Sequence, residues 1–265
     1  MKSFKHLLFA LFLGVLMIGC TAGCARTSVT AAPVQEPRRQ IETADFAEGI
    51  MASLLTVKHN MNSGVIGSGI LVSIDGLPFM MTALHVIDHM IAGNQAMKEV
   101  VCHVDTYTRE ETCVDVLIGP AFQDLVYIDE ATDAALVPLS SVPEGARAAR
   151  MVEPGYNFRI GEEVWVIGCP TGAPNIVTRG LISGFAGQGP FSGALFTDSD
   201  VWFGTSGGGV FLSTGEYVGY IRAMIGSRTP SGREIAEGLN IFSPLPKGWG
   251  LDGRTLTFPS PLCTQ

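Results

Sequence analysis

Ser206 stands in the stretch Phe196–Gly209, FTDSDVWFGTSGGG, among glycines at 204, 207, 208 and 209. A serine hydroxyl is a poor nucleophile until a base takes its proton, and the anion formed on attack needs hydrogen-bond donors already in place. Clustered glycines let the backbone bend sharply and turn its N–H groups outward, which bulkier residues resist. Gly204-Thr205-Ser206-Gly207-Gly208 therefore suits an acyl-transfer nucleophile, with an oxyanion hole formed by the N–H groups of Gly204 and Ser206. A glycine-rich hairpin turn that happens to hold a serine would read the same way in isolation, so partners decide the matter.

Two partners precede it in the chain. His85 follows an apolar segment, Phe79–Thr82, where a short helical turn would present its ring at the rim of a core. Asp133 opens the apolar run Ala134–Leu139, and a carboxylate entering a buried strand must find a strong partner. The Gly204–Gly208 segment also fits G-x-S-x-G, the nucleophile elbow of α/β-hydrolases. Those enzymes place histidine after the serine, whereas the last histidine here is His103, and GGGVFLSTGEYVGY continues as strands, not a helix. The order His85, Asp133, Ser206 is the chymotrypsin-type one. His85 and His89 share one helical face at i and i+4, as zinc proteases arrange theirs, but the glutamate of HExxH is missing and Asp88 stands where an inverted motif needs glutamate. No metal and no cofactor is expected.

These side chains need a scaffold of short strands. Segments 46–57 (a strand, or a short helix leading into one), 70–74, 79–82, 100–107, 112–119 and two strands within 123–139 come first; the polar stretch 140–155 separates them from 163–167, 176–178, 180–184, 194–197, 209–212, 217–223 and 239–243. Gly67-Ser68-Gly69 and Asp75-Gly76 read as turns. Thirty-two glycines and 15 prolines agree with a turn-rich all-β protein. The expected architecture is two six-stranded antiparallel β-barrels, one over about 46–140 and one over about 156–246, in one domain spanning 46–246 with a surface tail, 247–265.

The formal charge is −8, and −10 once Lys2 and Lys5 leave with an N-terminal segment, which argues against nucleic acid and against a polybasic membrane patch. Residues 1–25 read as an export signal: two lysines, then the 13-residue apolar run Leu7–Gly19, shorter than a membrane span. Met17-Ile18-Gly19-Cys20 resembles a bacterial lipobox with Cys20 as the lipidated residue; plain cleavage near Ala25 and an uncleaved anchor are the alternatives. Residues 26–45 are a polar tether. Cys102 and Cys113 flank the turn 107–110 and should face each other as a disulfide, worth about 3 kcal/mol in the chain-entropy model. Cys169 and Cys263 could pair only if the tail folds back.

GSGILVSIDG, MMTALHVI, DEATDAALVPL, GCPTG with VTRGLISG, and TDSDVWFGTSGGGVFLSTGEYVGY follow one another as in trypsin-like serine proteases. As an ordered set over roughly residues 50–245, they most resemble the HtrA (Deg) type. The resemblance implies His85 as general base, Asp133 as the residue fixing its tautomer, Ser206 as nucleophile, and polypeptide as substrate. It also implies that Ile221, Arg222, Ala223 and Met224 form the strand pairing with extended substrate. Asp200, six residues before Ser206, matches the position that selects Lys or Arg in trypsin; against the HtrA type, Thr197-Asp198 matches instead and a small or apolar side chain is expected. Three features depart from the pattern. Thr205 replaces the usual Asn or Asp, the 22 residues after Ser243 leave no room for a PDZ domain, and Trp202 and Phe203 are bulky. A protease-fold binding module with a blocked site is the competing expectation.

Overall fold

The computed structural model describes residues 43–92, 100–117, 125–153, 155–228 and 234–245. The expected export signal, Cys20, Cys263 and the tail after residue 245 lie outside them, as does the expected 26–45 tether except for its last three residues, which are helical and not a tether.

The chain enters through α1 (Thr43–Met51). Phe46 and Ile50, one helical turn apart, are buried, and the Phe46 ring meets Trp165 at 5.0 Å between centroids. The 46–57 segment is therefore a helix followed by β1 (Leu54–Lys58), because its apolar residues repeat at i, i+4 before they alternate. The first sheet adds β2 (Val65–Ile74), β3 (Leu77–Ala83), β4 (Val100–Val104), β5 (Glu111–Asp115), β6 (Tyr127–Asp129) and β7 (Ala134–Pro138), in the order β5-β4-β1-β2-β3-β7-β6. Its ends approach through a bridge between Val116 and Leu139, with the Leu117 N–H donating to the Pro138 carbonyl at 3.0 Å. Every residue of β7 is buried. β3 runs into α2 (Leu84–Ala92), which presents His85 in its first turn.

The second sheet contains β8 (Arg150–Met151), β9 (Glu163–Gly168), β10 (Ile176–Phe185), β11 (Leu195–Thr197), β12 (Gly209–Leu212), β13 (Glu216–Arg228) and β14 (Glu234–Pro244). The order β12-β9-β10-β11-β14-β13 closes on itself through β12–β13 pairing, giving a six-stranded antiparallel barrel with β8 added parallel to β13. The all-β expectation holds, with several boundaries moved. Segments 176–178 and 180–184 are one strand. β13 and β14 form a longer hairpin than the apolar pattern suggests, paired out to Arg228 opposite Glu234. Cross-strand backbone bonds carry that extension where few apolar residues mark it.

Gly67-Ser68-Gly69 is not a turn but the interior of β2. A Cβ at Gly67 would run into the Val86 side chain and one at Gly69 into Met80, so these glycines mark close packing, the other meaning of glycine within a strand. The main core fills the first barrel around Leu55, Ile70, Phe79 and Met81 and continues across the joint to Ile167, Phe211, Tyr217 and Tyr220; a second core fills the other barrel around Val164, Val210 and Phe242. Each such large side chain contributes about 1.5–3 kcal/mol of hydrophobic stabilisation. Cys102 and Cys113 face each other across β4 and β5, with their sulfurs 2.00 Å apart, at disulfide distance.

Candidate active site

Asp133 closes the turn between β6 and β7 with φ 58°, a left-handed conformation that costs a non-glycine residue about 1–3 kcal/mol. Three interactions hold it there. Its carbonyl accepts from the Leu84 N–H at 2.9 Å, Oδ1 accepts from the His85 N–H at 3.0 Å, and Oδ2 lies 2.7 Å from His85 Nδ1. The carboxylate thus grips both the backbone and the ring of His85. With Nδ1 committed to the carboxylate, Nε2 is the ring nitrogen left to accept a proton. Arg222 lies on the far side of Asp133, its Nε 3.9 Å from Oδ2 and its guanidinium 5.2 Å from the Phe191 ring centroid; its side chain is 11% exposed.

Ser206 reaches the same cleft, a hollow of about 690 Å³ whose walls include His85, Ser206, Gly204, Trp202, Phe203 and Met224. Its turn is fixed by backbone bonds: Thr205 N–H to the Trp202 carbonyl at 3.0 Å, Gly207 N–H to Ile221 at 2.8 Å and Gly208 N–H to Thr205 at 2.7 Å. Among the described residues, the N–H groups of Gly204 and Ser206 donate to no protein acceptor. The Phe203 carbonyl accepts from Thr171 N–H at 2.6 Å, and because the peptide is planar and trans the Gly204 N–H points away from Thr171. Gly204 and Gly207 have φ +94° and +78°, and a Cβ on either would strike backbone, that of Cys169 or of Ser68.

Ser68 is the residue that sequence reasoning missed. Its N–H donates to the Ser206 carbonyl at 2.9 Å, and its hydroxyl donates to the Gly204 carbonyl at 2.7 Å while accepting from the Cys169 N–H at 2.9 Å. A buried serine of the first barrel thereby holds the turn of the second. The signal was its position between two small residues in an otherwise apolar strand. Below the Asp133 turn, Tyr220 and Ser243 of the second barrel donate to the Thr132 carbonyl at 2.8 and 3.3 Å. Burial pushes the Tyr220 phenol up to about 12, and burial likewise raises the Cys169 thiol to about 11, so Cys169 stays a protonated thiol.

The expected specificity residues separate. Ile221, Ala223 and Met224 line the cleft, whereas Arg222 turns back toward Asp133. Asp200 is exposed and outside the cleft lining, its carbonyl accepting from the Thr178 hydroxyl at 2.8 Å; Val201 lines the cleft instead. The register of β13 shifts between Ile221 and Ala223, which turns Arg222 away from the cleft, and the irregular backbone between β11 and Ser206 explains Asp200. The His85/His89 pairing cannot be followed, since the His89 side chain lies outside the described residues. Among those described, the group with metal-ligand spacing is Cys102, Glu111 and Cys113, whose sulfurs already face each other at disulfide distance.

Two barrels with a shared cleft of this kind define a trypsin-like peptidase fold. The trypsin-like peptidase domain family matches residues 67–219, more than half of the chain, and the chain belongs to that family. Among its relatives, it is 29% identical over 191 residues to the serine endoprotease DegS of Haemophilus influenzae, covering 68% of this chain and 47% of that protein. It is 27% identical over 215 residues to the chloroplastic protease Do-like 5 of Arabidopsis thaliana, covering 77% of this chain and 61% of that one. The chain thus spans about half to three fifths of the length of these relatives. Its fold is similar to that of Deg5, with a TM-score of 0.57 at 21% identity, covering 78% of this chain and 92% of that one. It is also similar to the MamO protease domain from Magnetospirillum magneticum, with a TM-score of 0.51 at 17% identity, covering 74% and 93%.

Proposed function

We propose that this chain is a serine endopeptidase in which Ser206 attacks a peptide carbonyl, His85 takes and returns the proton, and Asp133 fixes the imidazole. The carrying observation is the double grip of the Asp133 carboxylate on His85, at 2.7 and 3.0 Å, beside a serine turn in the same cleft. The N–H groups of Gly204 and Ser206 receive the oxyanion, and the acyl-enzyme on Ser206 is released by a water that His85 activates. The substrate chain extends along Ile221–Met224 by strand addition, its side chain before the cut bond meeting the apolar surface of Val201 and Phe203. That surface favours a small or medium apolar residue over a basic one. A fluorophosphonate probe should label Ser206 in the wild-type protein and not in Ser206→Ala. Absence of label in a folded wild-type protein would end this reading.

A second reading rests on one observation. Trp202 and Phe203 are 39% and 51% exposed on the cleft wall, edge to face at 5.8 Å between centroids, where they could serve a binding module that never turns over. The same probe separates the two. Export, with Cys20 lipidated and the domain held at the cell envelope by a tether that ends before α1, at residue 42 and not 45, completes the proposal; it rests on the residue order of the N-terminus. Metabolic labelling with a radioactive fatty acid should mark the wild-type protein and miss Cys20→Ala.

A further inference from the structure

The cleft does not end at the catalytic residues. Val65 and Gly172 line it and also line a second hollow of about 530 Å³, so the two adjoin. None of Ile221–Met224 lines this second hollow, which is walled by the first barrel and by residues 172–176. If the acyl half of a substrate runs along that strand, the half that departs after Ser206 attack runs past Val65 toward the second hollow. This step rests on the proposed protease reading.

The charges lining the second hollow come from Lys58, Arg109 and Glu111. Lys58 is committed, with its Nζ 2.6 and 2.7 Å from the two Glu111 carboxylate oxygens and its side chain only 12% exposed. Among the described residues no carboxylate pairs with the Arg109 guanidinium. The hollow therefore carries one uncompensated positive charge, on a protein whose formal charge is −8. Arg109 is also held in place. It adopts φ 63° at the tip of the β4–β5 hairpin, and the Asp105 carboxylate orders that tip by accepting from the N–H groups of Tyr107 and Thr108 at 2.9 and 2.7 Å. The base of the hairpin is joined at Cys102 and Cys113, and Asn175 of the second barrel donates to the Val104 carbonyl at 2.7 Å. A braced hairpin whose exposed Arg109 lines a hollow next to the cleft, with no described carboxylate paired to it, is suited to bind a carboxylate.

We infer that Arg109 forms a subsite for a carboxylate on the departing side of the substrate, a few residues beyond the cut bond. The carboxylate is either an Asp or Glu side chain or the carboxyl terminus of the chain being cut.

The test uses binding, so it does not depend on turnover. Immobilised Ser206→Ala protein, alone or with Arg109→Ala, is offered a pool of random-sequence peptides, and retained peptides are identified by mass spectrometry. A second pool with amidated C-termini separates side-chain from terminal carboxylates. The Ser206→Ala protein should enrich carboxylate-bearing peptides about two- to fivefold over the double variant, the range of an exposed ion pair, and less so as salt rises. If only the terminal carboxylate is read, enrichment disappears with the amidated pool. Arg109→Lys should retain part of the preference. Glu111→Gln, which releases Lys58, should increase it. Equal retention of acidic and neutral peptides by the proteins with and without Arg109 overturns the subsite, whatever proteolysis assays find. A retained preference in a protein whose wild-type form never labels with fluorophosphonate would instead overturn the protease reading and leave the subsite standing.

Discussion

The two walls of the cleft are built to different standards. On the wall around Ser206, position is fixed several times over. Gly204 and Gly207 have no room for a side chain, alternate N–H groups are tied down, and Ser68 reaches across from the other barrel to two carbonyls of the turn. On the wall around Trp202 and Phe203, large apolar side chains stand half-exposed, their rings edge to face with each other. Groups that must meet a transition state within a fraction of an ångström need the first kind of construction, while surfaces that accept varied side chains tolerate the second. The contrast makes the Ser206 wall sensitive to any added atom and the Trp202 wall permissive.

Four substitutions or titrations would break or sharpen that contrast. The largest effect belongs to Ser206→Ala, which should lower peptide turnover by about four to six orders of magnitude while leaving the unfolding midpoint nearly unchanged. Casein cleavage at the wild-type rate would remove Ser206 from the chemistry. Next, Gly207→Ala should cost about 3 kcal/mol or more, from its positive φ and the collision with Ser68 backbone, and should abolish fluorophosphonate labelling. Gly187→Ala, with open space around the added methyl, should stay within about 0.5 kcal/mol by denaturant unfolding. If the two variants behave alike, the Ser206 wall is not over-determined.

The third concerns the joint beneath Asp133. The Tyr220 phenol rises from an ordinary 10.0 to about 12 in the folded protein, chiefly through burial. The neutral form is therefore favoured by folding, and its contribution is fully present below about pH 10 and is lost as pH climbs toward 12. The loss should approach about 3 kcal/mol on the alkaline side. Tyr220→Phe should flatten that part of the stability–pH curve and cost about 1 kcal/mol at neutral pH for the bond to Thr132. An unaltered alkaline limb in the variant would assign the loss to other groups. The smallest effect should come from Trp202→Ala, a several-fold change in KM with a shift toward larger residues before the cut bond and little change in kcat. A large fall in kcat would show that this wall, too, positions the reacting groups.

Much of the site could be read in the chain because its chemistry constrains residue type and order. The proposed nucleophile turn needs glycines around its serine, and the proposed aspartate had to lead into a buried strand, so Ser206, His85 and Asp133 stood out as a candidate set. The helix at Thr43–Met51 was harder, since Phe46 and Ile50 also fit the start of a strand when the tertiary partner Trp165 is out of sight. Ser68 looked like part of a turn because Gly-Ser-Gly signals loops far more often than a strand interior that another barrel approaches closely.

What the amino-acid order determined by itself is local: strands that alternate, turns that need glycine, cysteines across a hairpin, and candidate groups whose spacing fits one known chemistry. Which way a side chain faces was decided only when the barrels closed. Asp200 fell outside the cleft, Arg222 turned to Asp133, and Lys58 was taken up by Glu111 while no described carboxylate pairs with Arg109. Such outcomes depend on contacts between residues far apart in the chain, of the kind that joins Ser68 to Gly204 across 136 positions, and no local pattern encodes them. Their cause is tertiary: closure within each sheet joins Lys58 to Glu111 and Thr178 to Asp200, and the packing of the two barrels brings Arg222 to Asp133.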